Sequence, residues 1–168
     1  MNATTFLTLV AACAPQVDSG TAQALVAVES SFNPHAIGVV GGALDHQPRR
    51  RAEALATAKM LQANGWNFSV GLAQINVKNF ERFGLSLETA FNPCANLGGM
   101  QAALTECFQR TDQRASSRQR SVRQALSCYY SGNFVTGFKH GYVGRVIGAT
   151  ATAARRPASF TPPSKDSP

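Results

Sequence analysis

A mostly α single domain is what this sequence predicts, and three observations carry the prediction. Some six segments repeat apolar residues at three- and four-residue spacing, the period of an amphipathic helix. Only one short stretch, residues 36–44, combines glycines with β-branched residues, and no segment alternates apolar and polar residues as a half-buried strand does. The 168 residues suffice for one hydrophobic core and are short for two. The folded unit is therefore assigned to residues 1–154, followed by a Pro/Ser-rich, disordered tail over 155–168.

The first helix is expected over residues 4–14, where Pro15 stops it. Asp18 or Ser19 caps a second one, which should stop near Phe32 because the residue before Pro34 avoids the α region. Residues 36–44 read as a small hairpin or extended loop. Pro48 is placed to open a third helix and Gly65 to close it, with Leu55, Ala58 and Leu61 on its inner stripe. Arg49, Arg50 and Arg51 in its first turn oppose the helix dipole, with no folding reason visible in the sequence. Residues 66–76 have no helical period and mix Trp66 and Phe68 with amides and glycines. A short helix carrying Val77, Phe80 and Phe83 ends at Gly84, and Ser86 caps a further turn. A longer helix over about 94–110 turns Leu97, Met100, Leu104, Cys107 and Phe108 inward, and Gly98-Gly99 within it marks a close backbone approach. After a polar, basic loop at 111–119, residues 120–131 place Val122, Ala125, Leu126 and Tyr129 on one face, and Gly132 ends that helix. Residues 138–154 form the last helix, with Tyr142, Val143, Val146 and Ile147 inward.

The formal charge of +7, with arginines clustered at 49–51, along 110–123 and at 155–156, favours anionic partners or a solvated surface. Nucleic acid fits poorly, because the single Trp and three Tyr are not interleaved with these clusters as a stacking platform requires. No apolar run reaches the length of a membrane span. Cys13, Cys94, Cys107 and Cys128 are too scattered for a zinc site. They fit two disulfides in an oxidising compartment, or buried thiols. His35, His46 and His140 stand alone, so no metal and no cofactor is implied. Residues 1–14 lack a basic n-region, so any export signal would lie upstream.

One carboxylate stands out. Ala22, Leu25 and Val26 precede Glu29 by seven, four and three positions and Phe32 follows by three, so on a helix all share its face. Desolvation there, and the partial negative charge of a helix C-terminus, both disfavour ionisation. A carboxylic acid kept protonated near neutral pH is what a general acid requires. A Glu that snorkels to solvent or pairs with an Arg is the structural alternative. The amides and aromatics of residues 66–76 likewise suit either a sugar-binding floor or a packed connection.

Three stretches in this order, Val28-Glu29-Ser30-Ser31-Phe32-Asn33-Pro34, Gly71-Leu72-Ala73-Gln74-Ile75-Asn76 and Cys128-Tyr129-Tyr130-Ser131-Gly132-Asn133, resemble the lysozyme-like lytic transglycosylases associated with type IV secretion and conjugation. The resemblance extends from Phe6 to Ala154. It implies a lysozyme-like fold with a small β element beside a substrate groove, and Glu29 as the sole catalytic acid and base, with Tyr129 positioning it or the substrate. Substrate contacts would come from Ser30, Gly71, Leu72, Gln74, Asn76, Tyr130 and Asn133, and Asn96 matches an asparagine at the start of the helix after the groove. Ala73 and Tyr130 depart from the usual methionine and asparagine of these motifs. The family's cysteine habits imply the pairs Cys13–Cys94 and Cys107–Cys128. The partners implied are peptidoglycan glycan strands and other secretion subunits, and the compartment is the periplasm.

Most glycosidases use two carboxylates; the candidates for a second are Asp45 and Glu53, and neither sits in a motif. A one-carboxylate reaction is therefore expected, and the resemblance implies that it gives a 1,6-anhydromuramyl product. Hydrolysis of the lysozyme type, or a wall-binding assembly factor without turnover, are the alternatives.

Overall fold

The computed structural model describes residues 3–155 except 113, 115 and 116, so the tail assigned to 155–168 lies outside the described residues beyond Arg155. Helix α1 (Ala3–Cys13) is followed by α2 (Ser19–Ser30), capped by the Asp18 carboxylate, which accepts from Thr21 N at 2.9 Å. Strand β1 (Ile37–Val39) comes next, then α3 (Arg51–Ala63), β2 (Phe68–Val70) and β3 (Ile75–Asn76). Two 3-10 turns, Val77–Asn79 and Glu81–Phe83, lead to α4 (Leu87–Ala90), whose Ser86 and Thr89 form a reciprocal cap. The chain closes with α5 (Pro93–Gln109), α6 (Arg118–Ser131), α7 (Thr136–Lys139) and α8 (Tyr142–Arg155). The mostly α expectation holds, with eight helices among the described residues, two of them single turns.

Four elements differ from the sequence reading. Helix α2 ends at Ser30, because Ser31 adopts the left-handed conformation (φ 52°, ψ 38°) and its N–H returns to the Ala27 carbonyl. Residues 36–44 form no hairpin of their own. Instead β1 pairs antiparallel with β2 (Ile37 opposite Val70), and β2 pairs with β3 (Ser69 opposite Asn76), so the hairpin lies in the stretch read as aperiodic. Two-residue β3 is too short to show alternation. Helix α3 starts at Arg51 rather than Pro48. Glu53 folds back to accept from Arg49 N (2.9 Å) and meets His46 Nε2 (3.1 Å), which offsets the basic residues at this helix start. The last helix is broken in two by Gly141, whose φ of 70° no α-helix accommodates.

The core gathers around α2. Phe6 and Val10 of α1, Leu25 and Val26 of α2, Leu97 and Met100 of α5, and Tyr142, Val143 and Val146 of α8 are all buried in one cluster with β2. α8 runs antiparallel along α2, with Tyr142 at Glu29 and Thr150 beside Gly20. Gly99 is the close approach foreseen in α5: a Cβ there would stand 3.0 Å from Leu85 and 3.5 Å from Ile75. Cys13–Cys94 ties α1 to the start of α5 (Cα–Cα 5.2 Å), and Cys107–Cys128 ties α5 to α6 (5.7 Å), the two pairs the resemblance implied. By chain entropy, loops of this length make the closures worth about 4.5 and about 3 kcal/mol respectively.

Candidate active site

A groove of about 470 Å³ runs between the sheet and the α5–α6 pair, lined by Gly38, Val39, Val40, Ser69, Gln74, Ile75 and Asn76 on one side. Phe83, Ala103 and Tyr129 to Gly132 line the other, and Glu29 is the only carboxylate among the described lining residues. Asp45 and Glu53 are not at the groove: Asp45 is exposed and Glu53 is engaged with His46 and Arg49.

Glu29 sits in the last turn of α2, with its preceding face (Ala22, Leu25, Val26) fully buried. The carboxylate is held by Tyr142, whose hydroxyl donates to Oε1 at 2.5 Å. Burial pushes its pKa up to about 7, against smaller downward pulls from that hydrogen bond and from the Arg145 charge. Tyr142 is missing from the residues singled out by sequence. It reads as one more inward residue of an apolar helix face, 113 positions from Glu29. The signal available was indirect: a buried tyrosine hydroxyl and a buried carboxylate each need a partner.

Tyr129 lines the same groove as Glu29 with no described hydrogen bond to it. Its hydroxyl donates to the Ala73 carbonyl at 2.6 Å, fixing the turn between β2 and β3. Burial, and then the Glu29 charge, push the Tyr129 phenol well above its ordinary range, and the same two causes raise that of Tyr142, so both remain donors. Tyr130 stacks on Tyr142 (centroids 4.5 Å apart, planes 19° apart) and its hydroxyl meets His140 Nδ1 at 3.2 Å.

The turn at residues 71–74 is held from beneath by Asn96, a fully buried amide. Its Oδ1 accepts from Ala73 N (2.8 Å), and its Nδ2 donates to the carbonyls of Val70 (3.0 Å) and Ala90 (2.8 Å). Gly71 has φ 80° and lies so close to this amide that a Cβ would stand 2.3 Å from Nδ2. Gln74 is left-handed (φ 50°), which a non-glycine residue adopts at a cost of roughly 1–3 kcal/mol. Its Nε2 donates to Gly71 O (3.0 Å) and Ala36 O (3.2 Å), leaving the amide oxygen beside Gly38 in the groove wall. Two further non-glycine residues at positive φ, Ser31 and Phe32, directly follow the Glu29 turn. Phe32 is held there by an edge contact to Phe6, 5.1 Å between centroids.

Of the residues expected to contact substrate, the structure brings Gln74, Asn76 and Tyr130 to the groove with Glu29 and Tyr129. The other four are not among the lining residues and support it instead. Ser30 Oγ bonds the Leu72 carbonyl (2.7 Å), Gly71 and Leu72 are buried, and Asn133 Oδ1 accepts from Val135 N and Thr136 N at the start of α7. Sequence motifs group them with the lining residues because they are neighbours in the chain, whereas the fold sets only some of those neighbours in the groove.

The profile of the transglycosylase SLT domain matches residues 6–149 of this chain. The chain belongs to that family. Its members are lytic transglycosylases acting on peptidoglycan. Among similar proteins, the type IV secretion system protein virB1 of Brucella suis biovar 1 is 44% identical over 163 residues, covering 94% of this chain and 68% of the relative. Protein virB1 of Rhizobium radiobacter is 33% identical over 156 residues (92% of this chain, 63% of that protein). Protein virB1 of Agrobacterium fabrum is 35% identical over 136 residues (80% and 54%). No solved structure matches the chain significantly. Among the described residues, no helix is long and apolar enough to cross a membrane, and no group of three or more His, Cys, Asp or Glu is placed to hold a metal ion.

The Tyr142 hydroxyl stabilises the ionised form of Glu29, so its removal lets the proton stay on to higher pH. In Tyr142→Phe the alkaline limb of the kcat/KM profile is expected to move up by on the order of one pH unit, since a hydrogen bond to a charged group is worth roughly 1.5–3 kcal/mol. Steady-state cleavage of soluble glycan between pH 5 and 9 reads the limb. A limb that stays in place shows that the contact does not tune Glu29.

Proposed function

We propose that Glu29 alone carries the acid and base steps of a reaction that cleaves the β-1,4 bond between N-acetylmuramic acid and N-acetylglucosamine and leaves a 1,6-anhydromuramyl end. The observation that carries this reading is a groove whose described lining holds one carboxylate, with a pKa raised to about 7. A group that must give a proton and then take one works best near its own pKa at the working pH. Protonated Glu29 delivers its proton to the glycosidic oxygen as the C1–O bond breaks, and the substrate's acetamide supports the positive charge at C1. The resulting Glu29 carboxylate then takes the proton of the muramyl C6 hydroxyl, whose oxygen bonds to C1. Atoms balance without water, and Glu29 ends protonated as it began.

In this reading Gln74, Asn76 and Tyr130 contact the sugars, while Tyr129 fixes the β2–β3 turn and Tyr142 holds the acid. Ser30, Gly71, Leu72, Asn96 and Asn133 keep the walls in place. Similarity to proteins named virB1 supports a role in opening the cell wall locally for a type IV secretion system, with other subunits of that system as partners. The two disulfides support an oxidising compartment, here the periplasm. Digestion of purified peptidoglycan followed by mass spectrometry of the muropeptides tests the chemistry. Products lighter by one water than reducing muropeptides are expected, and reducing ends would assign hydrolysis instead. A wall-binding factor without turnover would leave the polymer intact.

A further inference from the structure

The sheet-side wall of the groove does not stop at the residues facing Glu29. Val39 and Val40 line the groove, and Val40 is 57% exposed. Val40 N donates to Asn67 O at 2.9 Å, which sets it beside Trp66, the only tryptophan of the chain and 47% exposed. Single exposed apolar side chains need no explanation. Trp66 follows the groove-lining Val40 at the edge of the sheet, one residue beyond the Val40–Asn67 bond, where a polymer lying in the groove would leave it.

Gly42 sharpens the point. A Cβ there would stand 3.5 Å from Val39 Cγ1 and 3.6 Å from the Trp66 indole at Cζ3, so Gly42 lies between a groove-lining residue and the indole with no side chain of its own. The backbone that carries the indole is fixed, since the Trp66 main-chain N–H donates to the Leu61 carbonyl at the end of α3 (3.0 Å). The flat apolar surface of a half-exposed indole matches the C–H face of a pyranose.

We propose that Val40, Gly42 and Trp66 form a further sugar-binding subsite, which takes one N-acetylhexosamine ring of the strand lying in the groove. This rests on the glycan reading of the groove. The subsite favours long strands over short ones, because only a strand that fills the groove extends to the indole.

The lone tryptophan makes the test direct. Glu29→Gln protein is titrated with β-1,4-linked N-acetylglucosamine oligomers of increasing length, with calorimetry for affinity and intrinsic fluorescence for Trp66. Long oligomers are expected to shift the emission to the blue, while the shortest that bind leave it unaltered. Adding Trp66→Ala should weaken binding of the long oligomers by about tenfold, a 1.4 kcal/mol change, and spare the short ones. Gly42→Leu, which places a side chain between Val39 and the intact indole, should weaken the same oligomers. Long oligomers that bind without any emission change, or with equal affinity in the Trp66→Ala protein, overturn the subsite. So does a Trp66→Ala chain that binds glycan normally yet fails to support secretion in cells, which would assign the patch to a protein partner. Cleavage by the native chain is measured alongside: cleavage with a silent indole removes the subsite alone, and no cleavage removes the reading beneath it as well.

Discussion

Glu29→Gln is expected to abolish cleavage and, at alkaline pH, to stabilise the fold. General acid–base catalysis contributes about 10²–10⁴ to rate, and a glutamine neither gives nor takes a proton, so turnover should fall by at least that factor. The stability effect follows from linkage. The folded protein holds the Glu29 proton up to about pH 7, whereas the unfolded chain releases it near 4.5. Native protein therefore binds more protons between those values, and stability falls as pH rises through them. At 1.36 kcal/mol per pH unit between 4.5 and about 7, the ionised form costs about 3 kcal/mol above pH 7 and nothing below pH 4. Glutamine keeps the shape without the charge and can still accept from Tyr142. Denaturant midpoints at pH 8 should then favour the variant, with the two proteins converging by pH 4. Equal midpoints at pH 8 would show that Glu29 is not desolvated as described, and retained cleavage would remove it from the chemistry.

The largest destabilisation is expected from Asn96→Ala. The buried carboxamide satisfies Ala73 N, Val70 O and Ala90 O beneath the groove, and alanine satisfies none. Each buried backbone group left without a partner costs roughly 1–3 kcal/mol, so a loss of about 3–5 kcal/mol is expected from a domain whose whole stability is typically about 5–15. Asn96→Asp separates shape from bonding: it can keep the bond to Ala73 N but turns an oxygen toward two carbonyls, and should lose nearly as much. Both variants should lose affinity for glycan before they unfold, since Ala73 and Gln74 share the turn that Asn96 holds. A wild-type denaturation midpoint for Asn96→Ala would contradict the assignment.

Much of the frame was legible in the chain because it depends on near neighbours. The cap at Asp18, the stop at Gly132 and the inward stripes of α5 and α6 follow from helix period and terminal hydrogen bonding, which act over a few residues. So does the setting of Glu29, whose apolar neighbours at three, four and seven positions lie on its own helix face. The cysteine pairs came from resemblance to a family, and the described fold joins the same cysteines.

What the sequence by itself determined is a helical domain with one carboxylate set in an apolar face, and motifs that name its family. Only the tertiary structure decided which groups surround that carboxylate. Tyr142 rather than Tyr129 donates to it, because antiparallel packing of α8 on α2 brings together residues 113 positions apart. Likewise Gly71 and Leu72 turn inward onto Asn96 and Ser30 while Gln74 faces the groove, a division set by the β2–β3 turn and its left-handed residues. Periodicity records which face of a helix is apolar. It carries no record of which distant hydroxyl will be pressed against that face, since that choice is made by the packing of the whole core.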